Sequence, residues 1–259
     1  MTLRSTSQER QNAIRLMTKA DKVFTVGELA KKFNVSEMTI HRDLNTLQGQ
    51  RHITRTHGGV LPAERMEFEF DFAARRSANQ KAKKTIAKRA AELIEPGSKI
   101  ILDTGTTTLE LAYLLKDFND LTVITPSLAV ASVLQFSAGV QTVLLGGIIR
   151  KGSPELTGVV TEKVLDMFMV DIAFQGADGI GLNGELFNDD MRMAKVDQKI
   201  RRRARKTYIL SDSSKIGQTD LASNGMLSEA EALITDSKIT KEQLSELEKT
   251  GTKIIICEI

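Results

Sequence analysis

The segment ILDTGTTTLELA, residues 101–112, carries residue types that could hold an anion. An apolar run ends in Asp103, a glycine and three threonines follow, and the pattern of an amphipathic helix begins behind them. Backbone N–H groups at a helix N-terminus, together with hydroxyls, can surround a phosphate. Asp103 fits a ligand contact and a helix-capping or turn role equally well. The predicted phosphate loop consists of Gly105, Thr106, Thr107 and Thr108.

Residues 99–257 alternate between apolar runs of strand length and helical patterns. The apolar runs are KIILD, LTVIT, VQTVLLGG, VDIAFQGAD, TYILSD, ALITD and KIIIC. Helical patterns separate most of these runs, at residues 109–115, 128–136, 191–205 and 240–249. This alternation predicts an open, mostly parallel α/β sheet that is buried on both faces.

Gly, Thr, Ser, Asp and Lys residues follow the other apolar runs, as they follow the first. Open α/β sheets bind ligands at the carboxyl ends of their strands, so these residues are expected to converge with the phosphate loop. One such loop is weak evidence because turns use the same residue types, but several converging loops favour a binding site. The additional candidates are Thr125, Ser127, Gly147, Asp178 and Lys215.

The first sixty residues contain three helical patterns and then a hairpin pattern. Thr25 and Glu28 form a capping box at the second helix, and Ser36 can cap the third helix, EMTIHRDLNTLQ. Alternation in residues 52–56, followed by Gly58 and Gly59, predicts a small hairpin or wing. Together these elements predict a winged helix-turn-helix whose last helix lies in the major groove of DNA.

The third helix separates an apolar face from a polar one. Ile40, Leu44 and Leu47 repeat at helical spacing and are predicted to point inward, so Met38 and Arg42 point outward. Any amphipathic three-helix domain shares this periodicity, but the capped turn, the outward Arg42 and a basic wing favour DNA binding. The predicted DNA contacts are Ser36, Met38, Thr39, His41, Arg42, Asn45, Arg51, Arg55 and His57.

The stretch FNVSEMTIHRDLNTLQGQRHITRTHGGV, residues 33–60, resembles the signature of DeoR-type bacterial transcriptional regulators. The family pattern is V-S-x-x-T-I-R-R-D-L-x-x-L, followed by R-T-H-G-G. His41 stands where the family usually has its first Arg, so the DNA contact at that position can differ. Members of this family are most often repressors, and the resemblance implies the same function here.

The order of the later motifs is similar to the sensor domain of the same family, whose fold resembles ribose-5-phosphate isomerase. This resemblance covers nearly the whole chain. It implies that the loop of Gly105–Thr108 holds a phosphate, that Thr125 and Ser127 line the same pocket, and that Asp178 and Lys195 face a sugar. A surface role for Lys195 has equal weight. Pro126 replaces the Asn of the usual T-N-S, so the effector can differ from that of the commonest members.

The alternative is a sugar-phosphate isomerase that carries a DNA-binding module. Such an enzyme needs a carboxylate to move a proton between substrate carbons. QGADGI resembles the isomerase motif G-A-D-E-I/V-D, but Gly179 and Gly181 stand where further carboxylates would be. Asp189 and Asp190 are the nearest acids before Lys195, where isomerases carry a Glu base. The depleted carboxylates favour a sensor, and no catalytic residue is assigned.

Charge is unevenly distributed along the 259 residues. Residues 1–60 hold 10 Lys and Arg against 5 Asp and Glu, whereas the remainder holds 26 against 28. A basic segment on a near-neutral body indicates a separate polyanion-binding module. The predicted divisions are a DNA-binding domain (1–60), a linker (61–74) and an effector-sensing α/β domain (75–259). Arg150 and Lys151 could close over an anion, but a solvated loop is favoured for them. The basic run at 199–206 is interpreted as a solvated or interface face.

Composition limits the cofactors, partners and compartment. Cys257, the single cysteine, lies in an apolar run, and three scattered histidines offer no zinc pattern, so no metal or cofactor is expected. The sequence contains no run of about 18 apolar residues, so no membrane-spanning helix is expected. A cytoplasmic location is expected. One recognition helix reads few base pairs. The expected partners are therefore double-stranded operator DNA, a phosphorylated sugar or sugar-derived effector, and a second copy in a homodimer or homotetramer.

Overall fold

The computed structural model describes residues 6–18, 24–49, 53–56, 59–62, 72 and 74–259. The chain forms two compact units, Met1–Ala74 and Arg75–Ile259. The described elements of the first unit are α1 (Ser7–Thr18), α2 (Val26–Phe33), α3 (Glu37–Gly49), β1 (Ile53–Thr56) and β2 (Gly59–Pro62). The antiparallel pair β1–β2 forms the predicted wing and ends at Pro62, two residues beyond the expected domain end.

The predicted helix-turn-helix is confirmed, including the capping interactions of its helices. Thr25 and Glu28 form the capping box of α2, and Asn34 ends α2 in the left-handed conformation with φ 51°. Ser36 Oγ accepts a hydrogen bond from Thr39 N at 3.2 Å and so caps α3. The inward side chains of all three helices and the wing share one core, which contains Ile14, Leu29, Ile40, Leu44, Leu47, Ile53 and Val60.

A buried ion pair joins α1 to α3. Arg10 Nε donates to Asp43 Oδ2 at 2.5 Å, and both residues are at most 6% exposed. Ser7 Oγ and Gln11 Nε2 donate to Asp43 Oδ1 at 2.7 and 3.0 Å. Burial alone would raise the pKa of Asp43, but the hydrogen bonds from Arg10, Ser7 and Gln11 outweigh burial and lower it below its ordinary value.

The second unit is built on seven parallel strands. They are β3 (Lys99–Leu102), β4 (Leu121–Thr125), β5 (Val140–Leu144), β8 (Val170–Gln175), β11 (Ala204–Leu210), β13 (Ala232–Asp236) and β14 (Lys253–Cys257). Their order across the sheet is β14-β13-β11-β8-β3-β4-β5. Every neighbouring pair is parallel. These are the seven strands that the apolar runs predicted, which confirms the open α/β sheet.

The direction in which the chain crosses the sheet reverses between β3 and β8. From β3 the chain proceeds outward through β4 to β5, and from β8 it proceeds the other way to β14. Loops at the carboxyl ends diverge at such a point and leave a crevice, which is where open α/β sheets bind ligands. The phosphate-loop candidates directly follow β3 and therefore lie at this crevice.

Helices cover the sheet. They are α4 (Gln80–Ala91), α5 (Thr106–Leu115), α6 (Leu128–Leu134), α7 (Val159–Leu165), α8 (Met191–Arg202) and α9 (Lys241–Glu248). Side chains of α7 and α8 form one core with β3, β4 and β8, which includes Ile101, Leu165, Ala173 and Val196. Helix α4 contacts β11, β13 and β14.

Several short elements were not predicted from the sequence. They are a hairpin of β6 (Ile148–Ile149) with β7 (Leu156–Thr157), helix α7, and a sheet of β12 (Ala222–Met226), β10 (Glu185–Asn188) and β9 (Gly179–Ile180). Strands β6 and β7 have only two residues each, which is too short to show a hydrophobic period.

Within the described ranges, no helix combines the length and the apolar character needed to cross a lipid bilayer. Cys257 ends β14 and is buried, as its apolar neighbours predicted. The described residues contain no group of His, Cys, Asp and Glu side chains suited to a metal ion.

Candidate functional site

The outward face of α3 presents the predicted DNA contacts. Met38, His41, Arg42 and Asn45 are exposed, whereas the inward Leu44 is fully buried. Ser36 Oγ and Thr39 Oγ1 lie 2.9 Å apart and hold the first turn of the helix. These positions suit a recognition helix, whose amino-terminal residues contact base edges.

The wing candidates are only partly described. Arg55 lies in β1, but its side chain is outside the described part of the structure. Arg51 and His57 also lie outside the described residues. The backbone of β2 is joined to the segment just before α2, because Val60 N donates to Phe24 O at 3.0 Å.

We expect Arg42→Ala to weaken operator binding by roughly 1–3 kcal/mol, because the side chain is exposed on the groove-facing side of α3 and can contact a guanine. A mobility-shift titration at fixed salt measures this loss. Gln48→Ala, another exposed position of α3, is the matched control and should bind normally. Unchanged operator affinity of folded Arg42→Ala protein would contradict the role given to this side chain.

Asp103 joins β3 to β8 at the crevice. Its backbone N–H donates to Phe174 O at 3.1 Å, and its Oδ2 accepts from Gly176 N at 3.0 Å. The other oxygen, Oδ1, is buried and has no hydrogen-bond partner among the described residues. Burial raises the pKa of Asp103 to about 6, although the N–H groups of Thr104 and Gly176 oppose the rise.

The loop after Asp103 begins α5. Gly105 occupies the N-cap position without a side-chain cap, and the first turn of the helix carries no acidic residue. A Cβ added to Gly105 would lie 3.6 Å from the Cα of Gly176, so the loops after β3 and β8 touch here. Thr106 is half-buried and Thr107 is buried. Neither hydroxyl forms a hydrogen bond to another residue that the structure describes.

Thr108 corrects one expectation. Its Oγ1 lies 2.9 Å from Asp103 O and 2.7 Å from Gly105 O, and the residue is fully buried. The hydroxyl is therefore directed into the loop as a donor to its own backbone. Thr108 shapes the loop, whereas the sequence analysis expected its hydroxyl to face an anion beside Thr106 and Thr107.

Thr125 and Ser127 also bond within their own turn. Thr125 Oγ1 accepts from Ser127 N at 3.0 Å, and Ser127 Oγ caps α6 by accepting from Val130 N at 3.2 Å. The hairpin β6–β7 lies against this turn, because Leu156 N donates to Pro126 O at 2.8 Å. The carbonyl of Pro126 therefore accepts a backbone hydrogen bond from the hairpin, a bond that does not involve the missing N–H of proline.

Gly147 precedes the hairpin with φ +145°, a conformation that L side chains rarely adopt. An added Cβ would overlap Thr161 Oγ1 and lie 2.8 Å from Thr157 O. Thr161 is held in place because its hydroxyl donates to Gly146 O at 2.7 Å. The geometry gives Gly147 a role in packing against Thr161. The ligand contact expected from its position after β5 stays a prediction.

We expect Gly147→Ala to lower the free energy of unfolding by about 1–3 kcal/mol through backbone strain and overpacking. Thermal or urea denaturation measures the loss. Gly146→Ala is the matched control, because a Cβ there would meet only Val160 Cγ1, at 3.4 Å. Equal stability of the two variants would show that the backbone at Gly147 relaxes freely.

A charged cluster follows β8. Asp178 Oδ2 accepts from Asp189 N at 3.2 Å, and its Oδ1 lies 3.7 Å from Arg75 Nη1. The pKa of Asp178 is raised above its ordinary value by burial and by the charge of Asp189, although the charges of Arg75 and Lys215 oppose the rise. Lys215 ends a short helical turn, Ser213–Lys215, that follows β11. Lys195 is exposed on α8, and none of the described hydrogen bonds or ion pairs joins it to this cluster.

Arg150 connects the hairpin to the start of α8, whereas its sequence context favoured a solvated loop. Its guanidinium lies 2.8 Å from both Glu155 and Asp189 and 3.4 Å from Asp190. Burial alone would lower the pKa of Arg150, but the hydrogen bonds to Asp189 and Glu155 and their charges raise it. Asp189 lies 39 residues further along the chain than Arg150, so this pairing leaves no local pattern in the sequence.

A buried polar network lies behind the crevice and was also missed. Asp197 Oδ2 accepts from Asn188 Nδ2 at 2.8 Å, and burial and Asp103 raise the pKa of Asp197. Arg201 belongs to the basic run that the sequence analysis interpreted as solvated or an interface, yet it is only 8% exposed. It donates to Glu229 at 3.0 Å and to the side chain of Asn224 at 3.0 Å.

Comparisons with known proteins agree with both units. The family model of the DeoR-like helix-turn-helix domain matches residues 10–65, and that of the DeoR C-terminal sensor domain matches residues 78–237. Ribose 5-phosphate isomerase A from Methanocaldococcus jannaschii is similar at 23% identity, over 53% of this chain and 55% of that chain, with a TM-score of 0.40.

Two curated relatives are similar along almost their whole length. The putative aga operon transcriptional repressor of Escherichia coli O157:H7 is 30% identical and covers 97% of this chain and 94% of its own. The glycerol-3-phosphate regulon repressor of Escherichia coli K12 is 30% identical and covers 88% of this chain and 90% of its own. With both family models matched, the chain belongs to the DeoR family of DNA-binding transcriptional regulators.

Proposed function

We propose that this chain is a repressor of carbohydrate-metabolism genes that acts in the cytoplasm and responds to a phosphorylated sugar or a related metabolite. In this proposal α3 reads the operator and the crevice beside β3 binds the effector. The observation that carries it is the uncapped N-terminus of α5 at the reversal point of the sheet. The names of the two relatives, an aga operon repressor and a glycerol-3-phosphate regulon repressor, point to the same class of regulated genes.

The phosphate is expected at the first turn of α5. The N–H groups of that turn have no side-chain cap, and no acidic residue of the turn opposes an anion. The hydroxyls of Thr106 and Thr107 lie on the same turn and have no described hydrogen-bond partner. These N–H and hydroxyl groups can donate hydrogen bonds to a phosphate without breaking an existing hydrogen bond.

Asp103 is compatible with a phosphate because burial favours its neutral form. An ionised carboxylate two residues before Gly105 would repel the ligand, but the pKa of about 6 allows Asp103 to take a proton when an anion arrives. Arg75, whose Nη1 lies 3.7 Å from Asp178 Oδ1, adds positive charge at the same edge of the sheet.

The acids nearest to Lys195 are poorly suited to act as a catalytic base. Asp190 caps α8 by accepting from Arg192 N at 2.7 Å, and it pairs with the Arg192 guanidinium at 2.5 Å. The hydrogen bond from the Arg192 side chain is the main cause of a pKa of about 2, far from that of a base poised near neutral pH. Asp189 is paired with Arg150. Neither of these two acids is therefore suited to the place of the isomerase base before Lys195, which supports a sensor over an isomerase.

Control of DNA binding requires that the effector prefer one of two states of the protein. In the proposed repressor, the subunits of a homodimer or homotetramer place paired α3 helices on repeated half-sites, and the effector changes that placement. Two half-sites are needed because one recognition helix reads only a few base pairs.

A panel of sugar phosphates, with the unphosphorylated sugars as matched controls, distinguishes sensor from enzyme. Thermal unfolding and product formation are measured on the same samples. A phosphorylated ligand at about 100 times its Kd should stabilise the protein by about 2.7 kcal/mol, without turnover. Multiple turnover would contradict the sensor, and equal stabilisation by the unphosphorylated sugar would contradict phosphate recognition.

A further inference from the structure

Met38 is an apolar side chain on the polar face of α3. It is 65% exposed, whereas the inward Ile40, Leu44 and Leu47 are at most 2% exposed. A single exposed apolar residue is ordinary on a protein surface. What distinguishes Met38 is its position on the face of α3 that is proposed to contact the base edges of DNA.

Met38 is the second residue of α3 and lies one turn before Arg42. Residues four apart are neighbours on one side of a helix, so the two side chains face the same surface. The first turn is held by Thr39 N, which donates to Ser36 Oγ, and by the 2.9 Å contact between the Ser36 and Thr39 hydroxyls. When Arg42 faces the floor of the major groove, Met38 faces it as well.

The major groove offers one apolar group at the base edges, the 5-methyl group of thymine. Methionine is unbranched and polarizable and adapts to such a contact. We propose that Met38 reads a thymine 5-methyl group in each operator half-site, beside the base pair that Arg42 faces. The inference rests on the DNA-binding function of α3 and assigns one position of the recognised sequence.

The test uses the full-length protein and an operator located by footprinting on the DNA upstream of its own gene. Each thymine of a half-site is replaced in turn by deoxyuridine, which pairs identically but lacks the methyl group. Affinity is measured by mobility shift at constant salt. Replacement at one position should weaken wild-type binding about fourfold per half-site, the worth of one buried methyl-sized group.

The same series is repeated with Met38→Ala, forming a double-mutant cycle between the side chain and the methyl group. The variant should bind thymine and deoxyuridine operators equally at that position. Gln48→Ala, at an exposed position of α3 outside the predicted DNA contacts, is the matched control and should keep the wild-type sensitivity. Since Met38 is exposed and alanine favours helices, the variant should fold, and a thermal melt checks this.

The inference is overturned if wild-type protein binds every deoxyuridine operator as tightly as the thymine operator. It is equally overturned if Met38→Ala retains the wild-type loss at the sensitive position. Failure of the wild-type protein to bind any upstream DNA would instead contradict the proposed repressor itself.

Discussion

Replacing Thr106 and Thr107 together by valine is expected to abolish the effector response and leave operator binding intact. Valine keeps the shape of threonine but removes both hydroxyls, which have no described partner and lie on the first turn of α5. Hydrogen bonds to a charged group contribute roughly 1.5–3 kcal/mol each, so losing two should weaken effector affinity a hundredfold or more. Calorimetric titration and an effector-titrated mobility shift measure the two properties separately.

Thr122→Val is the matched control for this double variant. Thr122 is half-buried near the amino end of β4, at the opposite end of the strand from the crevice, so its replacement should leave the response unchanged. The loop would lose its assigned role if the double variant, shown to be folded, still responded to the effector with wild-type affinity.

Asp43→Ala is expected to destabilise the helix-turn-helix unit by about 3–5 kcal/mol, because it leaves the buried guanidinium of Arg10 without its carboxylate. Urea denaturation monitored in the amino-terminal unit measures this loss. The adjacent Arg42→Ala is a matched control, since that side chain is exposed on the other side of α3. It should weaken DNA binding and leave stability unchanged.

The contribution of Asp43 also depends on pH. Because folding lowers the pKa of Asp43, its stabilisation is complete above the unfolded pKa of about 3.9 and is lost as the pH falls through the folded value. Wild-type protein should therefore lose this increment in acid, whereas Asp43→Ala should not. A stability difference that stays constant down to pH 2 would contradict the role of the ion pair.

The sequence predicted the elements with strong periodicity. All seven strands of the parallel sheet were recognisable because each is a continuous apolar run, although the edge strands β5 and β14 are only partly buried. The capping box of Thr25 and Glu28 and the inward face of α3 followed from local spacing in the same way. The order of the strands was not predictable, because it depends on contacts between distant segments.

The details of the crevice required the structure. The threonines at 106–108 look equivalent in the sequence, yet only the hydroxyl of Thr108 is directed at the backbone of its own loop. Arg150 and Arg201 lie in segments that look solvated, and both are paired with acids far along the chain. The raised pKa of Asp103 arises from burial between β3 and β8, which no local pattern reports.

The central claim is that a phosphorylated metabolite, bound beside β3, changes the affinity of α3 for DNA. A mobility shift on the DNA upstream of the chain's own gene, titrated with matched phosphorylated and unphosphorylated sugars, tests it most directly. The account predicts that one phosphorylated compound changes operator affinity, that its unphosphorylated form does not, and that the Thr106→Val/Thr107→Val protein binds the operator but ignores both. A response of that double variant equal to the wild-type response would contradict the account.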